Sequence, residues 1–404
     1  MARPAGARCR GNVLSAARVP AIRACGAALA GACSLAACEQ FASIADLTIG
    51  ACEAGPCGNG VRDASVADSV EAREGGDARQ DAGNARDAHT AHDATTPGDA
   101  TPHGDGGADR QANPPDAGVS IVTLLTGQDG PEHIAVDSTN VYVSNFIAAA
   151  SSGCTVVQVP VGGGTATTLA LHQNSPGGIA VGGGDVYWTS SAGGLVLRGP
   201  IGGASHSTIA ATQTTPWGLA VDAAHVYWTS DASGSSSNTV MQSDLTGTSV
   251  LTIATGQGAI PAVAVDSARV YWVAQGSSGG TVVKVGIGGG GIATIATQQD
   301  TPTSVAVDST NVYWTTQATV VTAVIATGVV TTLSSGQDAP AGIAVDGAHV
   351  YWTTSSEVLR MPVGGGSTTT IASAQGNPTG IAVDSTSVYW AATGAGSILK
   401  ATPK

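Results

Sequence analysis

Residues 305–316 read VAVDSTNVYWTT, and the phrase recurs six times more: IAVDSTNVYVSN at 134–145, IAVGGGDVYWTS at 179–190, LAVDAAHVYWTS at 219–230, VAVDSARVYWVA at 263–274, IAVDGAHVYWTT at 343–354 and IAVDSTSVYWAA at 381–392. Its tyrosines, Tyr142, Tyr187, Tyr227, Tyr271, Tyr313, Tyr351 and Tyr389, are all the tyrosines of the chain and stand 45, 40, 44, 42, 38 and 38 residues apart. A period of about 40 residues with strand-like content marks a β-propeller. Each repeat supplies four short strands: A (IAVD), B (VYWTT), C (for example VLRMPV) and, after a glycine-rich turn, D (TTTIA). Strands A and B are almost continuously apolar because both faces of a blade are covered by its neighbours. The repeated Tyr and Trp are expected to fill the layers between blades, each burying about 150–250 Å².

The last repeat stops after strand C, SILKATPK, and the missing outer strand stands at 121–127, IVTLLTG. Pairing the two removes an exposed edge and closes the ring. The expectation is an all-β, seven-bladed propeller of four-stranded blades over 120–404, closed by the strand at 121–127.

Several columns keep a fixed offset. A Gln precedes every strand A, at 128, 173, 213, 257, 299, 337 and 375; nine residues later stands an Asp, at 137, 222, 266, 308, 346 and 384, with Gly182 in the second repeat. Sevenfold repetition argues for structure: the Asp closes the A–B turn through an Asx-type bond, and the Gln is expected to bond neighbouring-blade backbone. A basic column, Gln158, Arg198, Gln242, Lys284, Thr322, Arg360 and Lys400, reads as a solvated position on strand C.

The chain of 404 residues is 11% charged and 4% aromatic, holds 56 Gly and carries a net charge of −13. Residues 120–404 contain fourteen acidic and six basic residues, an unfavourable balance for a phosphate backbone, so no nucleic-acid partner is expected. Residues 1–37 have the layout of an export signal: Arg3, Arg8, Arg10, Arg18 and Arg23 precede the uncharged run 24–37. That run falls short of the about 20 apolar residues of a membrane span.

Leu35-Ala36-Ala37-Cys38 resembles a bacterial lipobox, which implies lipidation of Cys38 and a membrane anchor. Glu39 in place of Asp then favours the outer membrane. A plain secretory signal is the alternative. In the segment 38–58, Cys52 and Cys57 are close enough for a small disulfide loop. The Cys-Gly-Asn-Gly-Val that follows resembles the opening of a cysteine-rich repeat of myxobacterial surface proteins, whose further cysteines are missing here. Residues 59–119 lack Leu, Ile, Phe, Tyr and Trp and repeat Asp-Ala, the composition of an acidic, disordered linker.

Over 121–404 the VYWTT and VYWTS phrases resemble the YWTD propeller repeats and, more loosely, secreted propellers that include gluconolactonase-like enzymes and streptogramin B lyase. The YWTD family has six blades and uses its motif Asp in a hydrogen-bond network. That Asp is Ser, Thr or Ala in most repeats here. The lyase resemblance implies His and Glu around a metal at the channel mouth, yet the matching strand-B ends are uncharged and only Glu132 and His133 lie near a channel.

Where one copy departs from the others, function has room. Five positions after the Gln stand His133, Gly178, Gly218, Ala262, Ser304, Gly342 and Gly380, and one position earlier Glu132 and Trp217 depart from Gly, Pro, Thr or Ala. Trp217 is the single Trp outside the VYW position, suited to stacking on a sugar or holding a peptide. The B–C loops of repeats one and three are long and bring Phe146 with Cys154, and Asp231 with Asn238. Two oxygen-bearing side chains fall short of the six to eight ligands Ca²⁺ takes, so neither a metal nor a cofactor is expected. There is no Ser-His-Asp spacing and no paired carboxylates at a shared mouth. These features predict an anchored, monomeric binding or scaffolding module that takes an unknown protein or carbohydrate at Glu132, His133, Phe146, Trp217, Asp231 and Asn238, with no catalytic residue assigned. The alternative is a metal-dependent hydrolase or lyase of the gluconolactonase-like class.

Overall fold

The computed structural model describes residues 118–147, 153–203, 205–231 and 238–404. The leader, Cys38, Cys52, Cys57 and the linker up to residue 117 lie outside the described residues. Seven four-stranded antiparallel sheets follow one another around a ring. Blade one consists of Pro131–Val136, Asn140–Asn145, Cys154–Pro160 and Thr167–Gln173. Blades two to six occupy 176–210, 216–257, 259–299, 304–334 and 343–372. Blade seven takes Pro378–Val383, Val388–Ala392 and Ser397–Thr402 from one end of the chain and Ser120–Leu125 from the other. Ile121 pairs with Ala401 and Leu125 with Ile398, so the closing strand forms as expected but ends two residues earlier, at Leu125.

The core is divided into layers between blades, one at each junction. Tyr142 of blade one packs in a cluster with Trp188 of blade two; Tyr187 joins Trp228, Tyr227 joins Trp272, Tyr271 joins Trp314, Tyr313 joins Trp352 and Tyr351 joins Trp390. At the closing junction Tyr389 meets Val143, which stands where the other repeats have Trp. All of these Tyr and Trp side chains are fully buried.

Burying an indole or a phenol requires a partner for its polar atom. Each of these six Trp Nε1 groups donates to the Gln fifteen residues earlier, at the end of strand D or in the D–A connection, at 2.8–3.1 Å: Trp188 to Gln173, Trp228 to Gln213, Trp272 to Gln257, Trp314 to Gln299, Trp352 to Gln337 and Trp390 to Gln375. The expected partner of the Gln, neighbouring-blade backbone, is therefore corrected. The neighbouring blade contributes an indole N–H, and the Gln amide turns back to a carbonyl of its own blade, as Gln173 does to Leu171. Blade one lacks the Trp, and Gln128 accepts instead from Asn145 Nδ2 at 2.8 Å.

The Asp column closes the A–B turns as expected. Asp137 Oδ1 accepts from the backbone N–H of Thr139 and Asn140, and the same pattern holds at Asp222, Asp266, Asp308, Asp346 and Asp384. The second oxygen accepts the hydroxyl of the Tyr five residues on, at 2.7–3.0 Å. In blade two Gly182 cannot do this, and the buried Tyr187 hydroxyl has the Arg198 side chain rather than a turn carboxylate beside it.

The basic column is also corrected. Five of the seven side chains reach along the ring to backbone in the C–D region of the next blade. Arg198 donates to the Leu245 carbonyl at 2.8 Å, Lys284 to Ile325 at 2.8 Å and Lys400 to Val161 at 3.0 Å, while Gln158 accepts from Gly202 N–H and Gln242 from Gly288 N–H. The column thus staples blades together from outside. Thr322 is too short for this and bonds its own blade, at the Val312 carbonyl.

Candidate functional site

Antiparallel blades place every D–A and B–C connection on one face of the ring and every A–B and C–D connection on the other. The inner strands A stand side by side around the axis, and their approach explains the column of small residues. A Cβ added at Gly342 would lie 2.3 Å from the Thr379 carbonyl oxygen, and one at Gly380 2.5 Å from that of Glu132. Hydroxyls bridge the same seam: Ser144 donates to the Gly177 carbonyl, Thr189 to Trp217, Thr315 to Ala341, Thr353 to Thr379 and Thr379 to Glu132, at 2.8–3.0 Å. These hydroxyls follow the Trp column on strand B, except Thr379, which lies on strand A.

Against this regular background two of the outliers meet. The rings of His133 in blade one and Trp217 in blade three stand edge to face, with centroids 5.4 Å apart and planes inclined at 78°. They meet across blade two because its residues there are Gly177 and Gly178: a Cβ on Gly177 would lie 3.2 Å from Trp217 Cε3. His133 Nε2 is buried and has no hydrogen-bond partner. Burial lowers the imidazole pKa below its ordinary value, and the charge of adjacent Glu132 opposes the shift. The ring is therefore neutral near pH 7. Trp217 alone among the seven Trp is not fully buried.

The remaining candidates are placed elsewhere. Phe146 is half-buried in the B–C connection of blade one, its N–H donating to the Gly130 carbonyl at 2.8 Å, and makes no ring contact with His133 or Trp217 among the described residues. Asn238 is 2% exposed and opens strand C of blade three, its amide donating to Gly258 of blade four at 2.9 Å. Burial raises the Asp231 pKa, and a hydrogen bond from Asn238 opposes that shift. Asp231 and Asn238 do come together, but as the base of a loop rather than as an open pair of ligands. Cys154 is buried, and its Sγ accepts from Ile147 N–H at 3.3 Å. Among the described residues no three His, Cys, Asp or Glu side chains converge to hold a metal ion.

Sequence reasoning missed the conformation of the D–A connections. The residue before each Gln is left-handed in all seven blades, with φ of 53–71°: Gly127, His172, Thr212, Gly256, Gln298, Gly336 and Ala374. Three are Gly, which adopts this region freely; the four others hold it against their side chains, and only the three glycines hinted at it.

This geometry is that of a seven-bladed β-propeller. No family model and no curated protein matches the chain. Among solved structures, a catalytically inactive virginiamycin B lyase from Staphylococcus aureus with quinupristin is similar at 15% identity and TM-score 0.57, covering 70% of this chain and 99% of that one. The computationally designed Ika8 protein is similar at 14% identity and TM-score 0.52, covering 70% and 98%. A nidogen/laminin complex aligns at 18% identity and TM-score 0.45, covering 54% and 93%. At these identities the likeness is one of fold.

Proposed function

We propose that the protein is an exported, lipid-anchored binding module that engages a protein or carbohydrate through its D–A/B–C face. The observation that supports this most is the meeting of His133 and Trp217, the two strongest departures from the repeat, beside Glu132 on a face whose other strand-A heads are small or uncharged. A half-buried aromatic ring with an unpartnered polar atom beside it is the composition of a recognition hot spot. The anchor rests on Cys38 and its lipobox, and the acidic linker would hold the ring away from the membrane.

Intact mass of the protein extracted from its native membrane tests the anchor. A triacylated Cys38 is the expected species, and Cys38→Ser should move the protein to the soluble fraction. An unlipidated native species would remove the anchor from the account.

The second reading, a metal-dependent hydrolase or lyase, draws on Glu132 and His133 at the channel mouth and on the fold shared with virginiamycin B lyase. Stoichiometric divalent metal in the purified protein, lost in Glu132→Gln or His133→Ala, would favour it.

A further inference from the structure

Charge is divided unevenly between the two faces. All six Lys and Arg of residues 120–404 belong to the A–B/C–D half. Arg269 opens strand B of blade four; Arg198, Lys284, Arg360 and Lys400 lie late in strand C; Lys404 pairs with Asp346 at 2.6 Å. Of the eight carboxylates there, six close A–B turns, Asp185 lies 3.5 Å from Arg198, and Asp244 accepts from Thr246 and Thr248 within its own turn.

The D–A/B–C face has no Lys or Arg and carries the other six carboxylates. Asp129, Asp300 and Asp338 lie in D–A connections, Glu132 at the head of strand A, and Asp231 and Glu357 in B–C connections. None of the six forms an ion pair among the described residues. Residues 148–152 and 232–237, which complete the two long loops, contain no charged side chain.

A rim of carboxylates alone describes only a solvated acidic surface. The centre of this face adds an independent requirement, because His133 Nε2 is buried without a partner beside the Trp217 ring. In the tautomer protonated at Nδ1 the His133 Nε2 accepts a hydrogen bond, an indole face attracts a cation within about 6 Å, and the Glu132 carboxylate supplies opposite charge. One ligand chemistry satisfies all three: a cation that donates hydrogen bonds.

We propose that the D–A/B–C face binds a cationic polypeptide segment, with one Arg or Lys side chain seated at Trp217, Glu132 and His133 and neighbouring basic residues facing Asp129, Asp300 and Asp338. The proposal rests on the reading of this face as the binding surface and names the chemistry of its partner. A polypeptide fits better than a small ion because the carboxylates are spread over connections of blades one, three, five and six.

The test titrates fluorescein-labelled octa-arginine and octa-lysine into the full chain at low and at physiological salt, with octa-glutamine and spermine as controls. Glu132→Gln/Asp300→Asn and Asp185→Asn/Asp244→Asn remove equal charge from opposite faces. The expected result is at least a tenfold loss for the first pair, less than a twofold loss for the second, weakening at higher salt, and about a fivefold loss in Trp217→Ala. Trp217→Phe, checked by its melting curve, keeps the ring and should retain most of the binding. Equal losses from both faces, octa-glutamine bound as tightly as octa-arginine, or spermine competing at the peptide's own concentration would each overturn the proposal. If a loop-face partner is captured by crosslinking at Thr214 while neither basic peptide binds, the cationic chemistry falls and the binding-module reading stands.

Discussion

His133 and Trp217 belong to blades one and three, 84 positions apart in the chain, and their rings meet at 5.4 Å over the two glycines of blade two. Gly177 lies against the Trp217 ring, and Gly178 lets the backbone of blade three approach. An imidazole and an indole that replace small residues come together from separate blades, and the missing side chain of Gly177 leaves room for the indole. Gly177→Val should therefore displace the Trp217 ring. The expected sign is a change in acrylamide quenching of the fluorescence, since the other six Trp are fully buried. Quenching identical to that of the unsubstituted protein would contradict the arrangement.

The Gln–Trp bonds make a separate prediction about stability. Gln337→Ala leaves the buried Trp352 N–H without an acceptor and is expected to cost about 1–3 kcal/mol. Replacing both partners, as Gln337→Leu with Trp352→Phe, should cost less than the sum of the single changes. Denaturant unfolding of the four proteins measures the coupling, and additive losses would show that the bond carries no special weight.

Relief of the left-handed strain should stabilise the ring. Thr212→Gly, Gln298→Gly and Ala374→Gly put Gly where blades at other positions already use it. The release of about 1–2 kcal/mol of backbone strain is offset by the about 0.5–1 kcal/mol entropic cost of Gly. A combined triple variant is expected to melt above the parent, and a lower melting temperature would contradict the strain assignment.

Acid sensitivity follows from the A–B turns. Burial tends to raise the carboxylate pKa at Asp137, Asp222, Asp308, Asp346 and Asp384, but turn N–H groups and the Tyr hydroxyl outweigh it and leave each below its ordinary value. At Asp346 the Lys404 ammonium helps bring it to about 2. A lowered folded-state pKa gives stability that is present above the unfolded value of 3.8 and lost as pH falls through the folded value. Melting temperature should thus hold above about pH 5 and drop between about pH 4 and pH 2. Asp308→Asn should flatten that drop. A pH-independent melting curve over this window would refute the link.

The staples predict where the ring is held from outside. Lys284→Met removes the bond to Ile325 in the next blade and should cost about 1 kcal/mol, with little salt dependence because the acceptor is a neutral carbonyl. Strong salt dependence of the parent-to-variant difference would point to an ion pair instead.

Much of this architecture is legible in the sequence because each element repeats. The period of the Tyr column fixes seven blades, the orphan strand near residue 121 fixes the closure, and the constant Gln-to-Asp offset fixes the turns. The misreadings share a cause. Arg198, Lys284 and Lys400 bond to carbonyls, and every residue has a carbonyl, so no pattern of side chains reveals which one lies within reach. The Gln–Trp partnership did leave a signal: the two stand fifteen residues apart in every repeat that has the Trp, and the repeat without it has Asn145 to serve Gln128. Of the site, Trp217 and His133 stand out as exceptions in columns of small residues, but their contact across blade two depends on ring geometry. Asn238 misled because a polar residue in a long loop resembles a ligand, whereas here it holds the loop to Gly258.

The most direct test of the central claim is photo-crosslinking in the cells that produce the protein, with p-benzoylphenylalanine at Thr214, in the D–A connection that leads to Trp217, and separately at Ser267 in an A–B turn. The account predicts a discrete adduct of constant mass from position 214, abolished by Trp217→Ala, and none from position 267. Adducts of equal yield from both positions, or from 267 alone, would contradict a binding surface on the D–A/B–C face.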